Sequence, residues 1–163
     1  MKIYLIGLPV VGKTRIGEKL AKELDIEFID LDEEIERLSG HHPAQLILDL
    51  GETYYRNLEN EVLRRLTSRK GIIACGGGVV VTPKNKEYMN GFVVYMRIEP
   101  RNLRVSKRDL ETRPILRERG LIELLAERET RYVNFSNAIV DIDHKEDSEV
   151  IEEIIKAYED YYN

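Results

Sequence analysis

The chain has 163 residues, enough for one domain whose core needs neither disulfides nor a structural metal. Hydrophobic residues make up 42% and charged residues 34%, a globular balance that excludes disorder by composition. A net charge of −5 argues against general affinity for nucleic acid, and the longest apolar runs, such as Phe92-Val93-Val94-Tyr95-Met96, fall far short of the roughly 20 residues that cross a bilayer.

Met1-Lys2 leads directly into a short apolar run and a glycine loop, with no apolar h-region or cleavage site, so the expected compartment is the cytoplasm. Ile3 to Ile6 reads as a strand, and Ile16, Leu20 and Leu24, four residues apart, mark the helix that follows. Between them, Gly7-Leu8-Pro9-Val10-Val11-Gly12-Lys13-Thr14 fits the phosphate-loop pattern G-x-x-x-x-G-K-[ST] in the strand-to-helix context that confirms it. Successive backbone N–H groups at a helix N-terminus cradle an anion, Lys13 adds charge for the β- and γ-phosphates, and the Thr14 hydroxyl is placed for Mg²⁺. The candidate ATP-binding set is therefore Gly7, Leu8, Pro9, Val10, Val11, Gly12, Lys13, Thr14 and Arg15. No Asn-Lys-x-Asp guanine motif accompanies it, because Asn85-Lys86 is followed by Glu87-Tyr88; a GTP switch is not expected.

A second strand is expected from Glu27 to Leu31, overlapping Asp30-Leu31-Asp32-Glu33-Glu34. If the strand persists, Asp30 and Asp32 point to one side, toward the phosphate loop. The competing reading, a helix N-terminus enriched in acids, suits Glu33 and Glu34, and this segment alone does not choose for the aspartates. Tyr55, Leu58, Val62 and Leu66 form a helical stripe. Strands then follow at Gly71 to Cys75, Phe92 to Ile98 and Ala138 to Ile142, before a closing amphipathic helix through Val150, Ile151, Ile154, Ile155 and Tyr158. Strands alternating with helices predict an α/β domain with a parallel sheet covered on both faces and ligands beyond the carboxyl ends of the strands.

Cys75 is the single cysteine, which rules out an intrachain disulfide; its expected role is a small buried hydrophobe beside the Gly76-Gly77-Gly78 turn. Basic residues crowd the stretch from Arg101 to Arg131, by default a solvated helix face. Its charged, weakly periodic part, about 107–120, is the expected mobile lid. His41, His42 and His144 read as surface loop residues, since no third ligand stands at a metal-binding spacing. Tyr158, Tyr161 and Tyr162 read as helix packing and a frayed end.

In this order and spacing, the phosphate loop, the Asp30-x-Asp32 segment, the run Gly51-Glu52-Thr53-Tyr54-Tyr55-Arg56-Asn57-Leu58-Glu59, the triple glycine, Arg113-Pro114, and Arg128 four residues before Tyr132 closely resemble the shikimate kinase family. The resemblance implies a single P-loop kinase domain over 1–163, with a five-stranded parallel sheet, substrate-binding helices at about 32–66 and the lid. It implies transfer of the γ-phosphate of ATP to the 3-hydroxyl of shikimate, with Mg²⁺, by a monomer. By the same resemblance, Arg56 and Arg128 clamp the substrate carboxylate, Gly77 and Gly78 present backbone N–H groups, and Tyr55 lines the pocket edge. Asp32 receives the attacking hydroxyl's proton, Asp30 holds Mg²⁺ through water beside Thr14, and Lys13 and Arg113 stabilise the transferring group. Arg104 or Arg108 is expected to stack on adenine.

Two departures from the family pattern stand out. Val10 occupies a position that is usually glycine, so either ordinary dihedrals or a reshaped loop is expected there. Pro43 and Ile47 replace an Ile and a Phe in the pocket wall. The rival readings are another small-molecule kinase, acting on a sugar acid or a nucleoside monophosphate, and a non-catalytic nucleotide-binding module.

Overall fold

In the computed structural model, which describes residues 1–163, five parallel strands form one sheet: β1 Lys2–Ile6, β2 Phe28–Asp30, β3 Gly71–Ala74, β4 Phe92–Arg97 and β5 Ala138–Asp141. Their spatial order is β2-β3-β1-β4-β5. The register pairs Tyr4 with Ile73 on one side and with Val93 on the other, so β1 is central. The chain leaves β1 toward β2 on one side and leaves β3 toward β4 on the other. That reversal opens a crevice at the carboxyl ends of β1 and β3, where a doubly wound sheet takes its ligands.

Helices α1 Lys13–Leu24 and α9 Asp147–Tyr162 cover one face of the sheet. There Ile3, Leu5, Ile72, Val94 and Met96 pack with Ile16 and Leu20 of α1 and with Val150, Ile151 and Ile154 of α9. The alternate strand residues, Tyr4, Ile6, Ile29, Ile73, Val93 and Tyr95, face the opposite layer. That layer holds α2 Leu31–Ser39, α3 Pro43–Leu50, α4 Glu52–Arg65 and, after the short α5 Asn85–Tyr88, α8 Leu121–Phe135. Burial on both faces is why the strands read as unbroken apolar runs, each large side chain contributing about 1.5–3 kcal/mol. Tyr158, Tyr161 and Tyr162 at the end of α9 gather around Phe92, with ring centroids 5.2–6.2 Å away.

The segment expected as a lid is folded as two short helices, α6 Lys107–Glu111 and α7 Pro114–Arg119. Ser106 and Asp109 close a reciprocal capping box at the start of α6, which compensates for its weak periodicity. No helix is long and apolar enough to cross a membrane.

One expectation is corrected in β2. The strand stops at Asp30, and Asp32 lies in the first turn of α2 rather than two places along a strand. The Asp30 carboxylate caps that helix, its Oδ1 accepting from the N–H groups of Asp32 at 2.9 Å and Glu33 at 3.2 Å. Capping and pocket-facing are therefore compatible at Asp30, and the helical turn, not strand alternation, brings Asp32 to the crevice.

Candidate active site

The phosphate loop joins β1 to α1. At Gly7, φ is 149°, and a Cβ would stand 2.6 Å from the Met96 carbonyl oxygen, so only glycine lets the loop leave the sheet this close to β4. Gly12 ends the loop at φ 101° as the N-cap of α1. Val10 corrects a second expectation: the loop keeps its left-handed residue, and the valine itself adopts φ 62°. Its side chain packs against the apolar layer containing Leu8 and Leu116, which holds a conformation β-branched residues disfavour.

Lys13 is only 7% exposed, and its Nζ donates to the carbonyls of Gly7 at 2.8 Å and Leu8 at 2.7 Å. Burial pushes its pKa down to about 7, against the pull of the Asp32 carboxylate. The Thr14 hydroxyl donates to Asp30 Oδ2 at 2.9 Å. A cavity of about 500 Å³ opens over these groups. Two oxygen-bearing side chains, one a carboxylate, beside a phosphate cradle match what Mg²⁺ takes from protein when phosphates and water complete its octahedron.

A second cavity, of about 160 Å³, lies beyond the Gly76-Gly77-Gly78 turn. Pro43, Ala44 and Ile47 of α3 form one wall, Tyr55 and Arg56 of α4 another, and Leu124 and Arg128 of α8 the floor. Arg56 and Arg128 are 8% and 4% exposed, and the Nε of each has no hydrogen-bond partner. Buried guanidinium donors without acceptors are costly, and a planar carboxylate is the ligand that satisfies them. Burial raises the Glu59 pKa to about 7 although Arg56 opposes the shift. Arg56 Nη1 holds both Glu59 oxygens, at 3.2 and 3.3 Å, and Nη2 lies 3.6 Å from Glu52.

Gly77 and Gly78 are explained by space rather than by dihedral freedom, since neither has positive φ. A Cβ on Gly78 would overlap the Arg56 guanidinium, and one on Gly77 would stand 2.7 Å from Pro9 Cδ. Tyr132 Oη donates to the Gly77 carbonyl at 2.5 Å, fixing the turn from α8.

The two cavities share Pro9, Asp32, Gly76, Gly77 and Arg113. Tyr55 Oη donates to Asp32 Oδ1 at 3.0 Å; burial, then the charge of Asp30, raises the Asp32 pKa. Arg113 precedes α7 with its side chain 41% exposed and contacts Asp109 and Thr112, each at 3.2 Å. Arg15 lines the phosphate cavity and is held by Asp147 of α9 at 3.0 Å. Arg104 and Arg108 are exposed and line neither cavity.

Two residues of the site region escaped the sequence reading, one buried behind Arg56 and one at a cavity mouth. Glu59 lay inside a recognised motif, but nothing local marks a glutamate as the buried partner of an arginine one turn away. His42, read as a surface residue, is exposed yet lines the mouth of the second cavity, and its Nδ1 accepts from Ala44 N–H at 3.0 Å to cap α3.

The family model described as shikimate kinase matches residues 9–159. The chain belongs to the shikimate kinase family. Among shikimate kinases, that of Caldanaerobacter subterraneus subsp. tengcongensis is 35% identical over 163 residues, covering 96% of this chain and 95% of the relative. A bifunctional shikimate kinase/3-dehydroquinate synthase from Thermotoga maritima is 36% identical over 138 residues, and the match spans 28% of that protein's length. The solved shikimate kinase of Acinetobacter baumannii in complex with shikimate superposes with a TM-score of 0.88 at 33% identity, covering 95% of this chain and 90% of that one. The match over residues 9–159 spans the lining of both cavities.

Proposed function

We propose that the chain transfers the γ-phosphate of ATP to the 3-hydroxyl of shikimate, yielding shikimate 3-phosphate and ADP. One observation carries this reading: a phosphate cradle and a cavity lined by two under-satisfied arginines meet at Asp32 and Gly77.

Arg56 and Arg128 receive the shikimate carboxylate, which turns the ring so that a hydroxyl faces Asp32. Asp32 takes that hydroxyl's hydrogen bond and then its proton as the oxygen attacks. Lys13 holds the β- and γ-oxygens, and the Gly77 and Gly78 backbone lies along the path of transfer. Thr14 and Asp30 would hold Mg²⁺, which would supply positive charge to offset that of the phosphates. Arg113 already lines both cavities, paired with Asp109, and closure of α6 and α7 over the nucleotide would bring its guanidinium onto the transferring group and exclude water. Phosphoryl transfer asks little more than such positioning and charge neutralisation. Consumption of ATP is in keeping with a cytoplasmic protein.

The test is ADP release with MgATP against shikimate, gluconate and several nucleoside monophosphates. Turnover with shikimate alone is the expected result, and turnover only with gluconate or a monophosphate refutes the assignment.

A further inference from the structure

Oxygen atoms from three side chains converge on Gly76. Asp32 Oδ1, Glu59 Oε2 and Tyr55 Oη lie 3.4–3.5 Å from the point where a Gly76 Cβ would stand, in contact range of one another across the turn. Tyr55 Oη is 3.0 Å from Asp32 Oδ1 and 3.4 Å from Glu59 Oε2. A phenol carries one proton and donates it fully to one carboxylate at a time. With the cavity free of ligand, the shorter distance gives that proton to Asp32. Glu59 is 0% exposed and is held by Arg56 Nη1.

An acceptor carboxylate that takes the unpartnered Nε of Arg56 shares with Glu59 the charge of one guanidinium. A buried carboxylate short of donors is costly, and the low local dielectric sharpens its demand for the next available proton. The next donor is the Tyr55 phenol. Turning it from one carboxylate to the other needs only rotation about the C–O bond.

We propose that Tyr55 is a positioning residue whose hydroxyl swings from Asp32 to Glu59 when an organic carboxylate occupies Arg56, freeing Asp32 Oδ1 for the acceptor's hydroxyl. The proposal rests on the assignment of Arg56 and Asp32 given above. The carboxylate then acts twice, once in binding and once in releasing the group that receives the proton. With water or an uncharged alcohol the phenol stays on Asp32 Oδ1 and makes that oxygen a weaker base, which slows hydrolysis of ATP.

The experiment compares wild type and Tyr55→Phe, at pH 8, with shikimate and with the same cyclohexene triol lacking the carboxylate. In wild type, loss of the carboxylate raises KM and also lowers kcat by about tenfold, the weight of one hydrogen bond to a charged group. In Tyr55→Phe the KM penalty remains, but the two kcat values agree within about twofold, because Asp32 is free with either acceptor. The variant also hydrolyses ATP faster than wild type when no acceptor is present. Each kcat ratio is taken within one variant, so a change in the folded fraction cancels. A Tyr55→Phe enzyme that keeps the wild-type kcat ratio overturns the switch and leaves the carboxylate clamp standing. A wild-type KM indifferent to the carboxylate removes the clamp and the switch together.

Discussion

Thr14 donates its hydroxyl to Asp30 Oδ2, and the other oxygen of the same carboxylate caps α2. One side chain thus ties the first turn of α1 to the start of the helix that carries Asp32.

The two duties of Asp30 are separable by substitution. Asparagine caps a helix as well as aspartate does but brings no charge to a metal, whereas alanine loses both functions. Asp30→Asn should raise the Mg²⁺ concentration needed for half-maximal turnover while leaving the melting temperature near wild type. Asp30→Ala should in addition lose about 0.5–2 kcal/mol of stability. Equal metal dependence in wild type and Asp30→Asn would remove Asp30 from the metal site.

Arg56→Ala should weaken shikimate binding by about 2 to 5 kcal/mol, the usual loss when a buried charge pair is halved. Nucleotide affinity should stay unchanged, because Arg56 lines only the second cavity. The variant should also unfold more readily, since Glu59 is left buried without its cation. Calorimetric titration with each ligand, together with thermal melting, checks all three outcomes.

Val10 holds φ 62°, which costs a β-branched residue about 1–3 kcal/mol. Glycine relieves that strain and gives back about 0.5–1 kcal/mol as chain entropy. Val10→Gly should therefore gain about 1 kcal/mol, raising the melting temperature by about 2–4 °C. A lower melting temperature would mean that valine packing outweighs the strain.

Glu59 sets a pH dependence whose sign follows from its environment. Burial raises its pKa from 4.5 to about 7 despite Arg56, so between these values the folded chain binds more protons than the unfolded one. The stabilisation from this group is full below the lower value and is lost as pH rises through the upper one. In urea unfolding across pH 4.5 to 8, the stability of wild type relative to Glu59→Gln should decline as pH rises. Parallel curves would mean that Glu59 does not titrate in this window.

Much of the architecture was legible because it rests on neighbours close in the chain. The five apolar runs became the five strands, with boundaries off by a residue or so, and the G-x-x-x-x-G-K-T loop stood where a strand meets a helix. Asp32 reaches the crevice, but by a helical turn rather than by strand alternation. Strand and helix N-terminus both place acids at that point, and only the capping bonds of Asp30 decide between them. The dihedral of Val10 was not legible, because steric preference argues against it and the apolar layer that enforces it comes from α7 and α8 as well as the loop.

Taken alone, the sequence determined the alternation of strands and helices, the phosphate loop and the family, since periodicity and motif spacing are properties of short stretches. Strand order, the merging of two cavities at Asp32, the burial of Glu59 under Arg56 and the arrival of Arg128 beneath the glycine turn were decided only by the folded chain. Each depends on groups far apart in sequence, whose meeting is set by how the helices pack across the sheet.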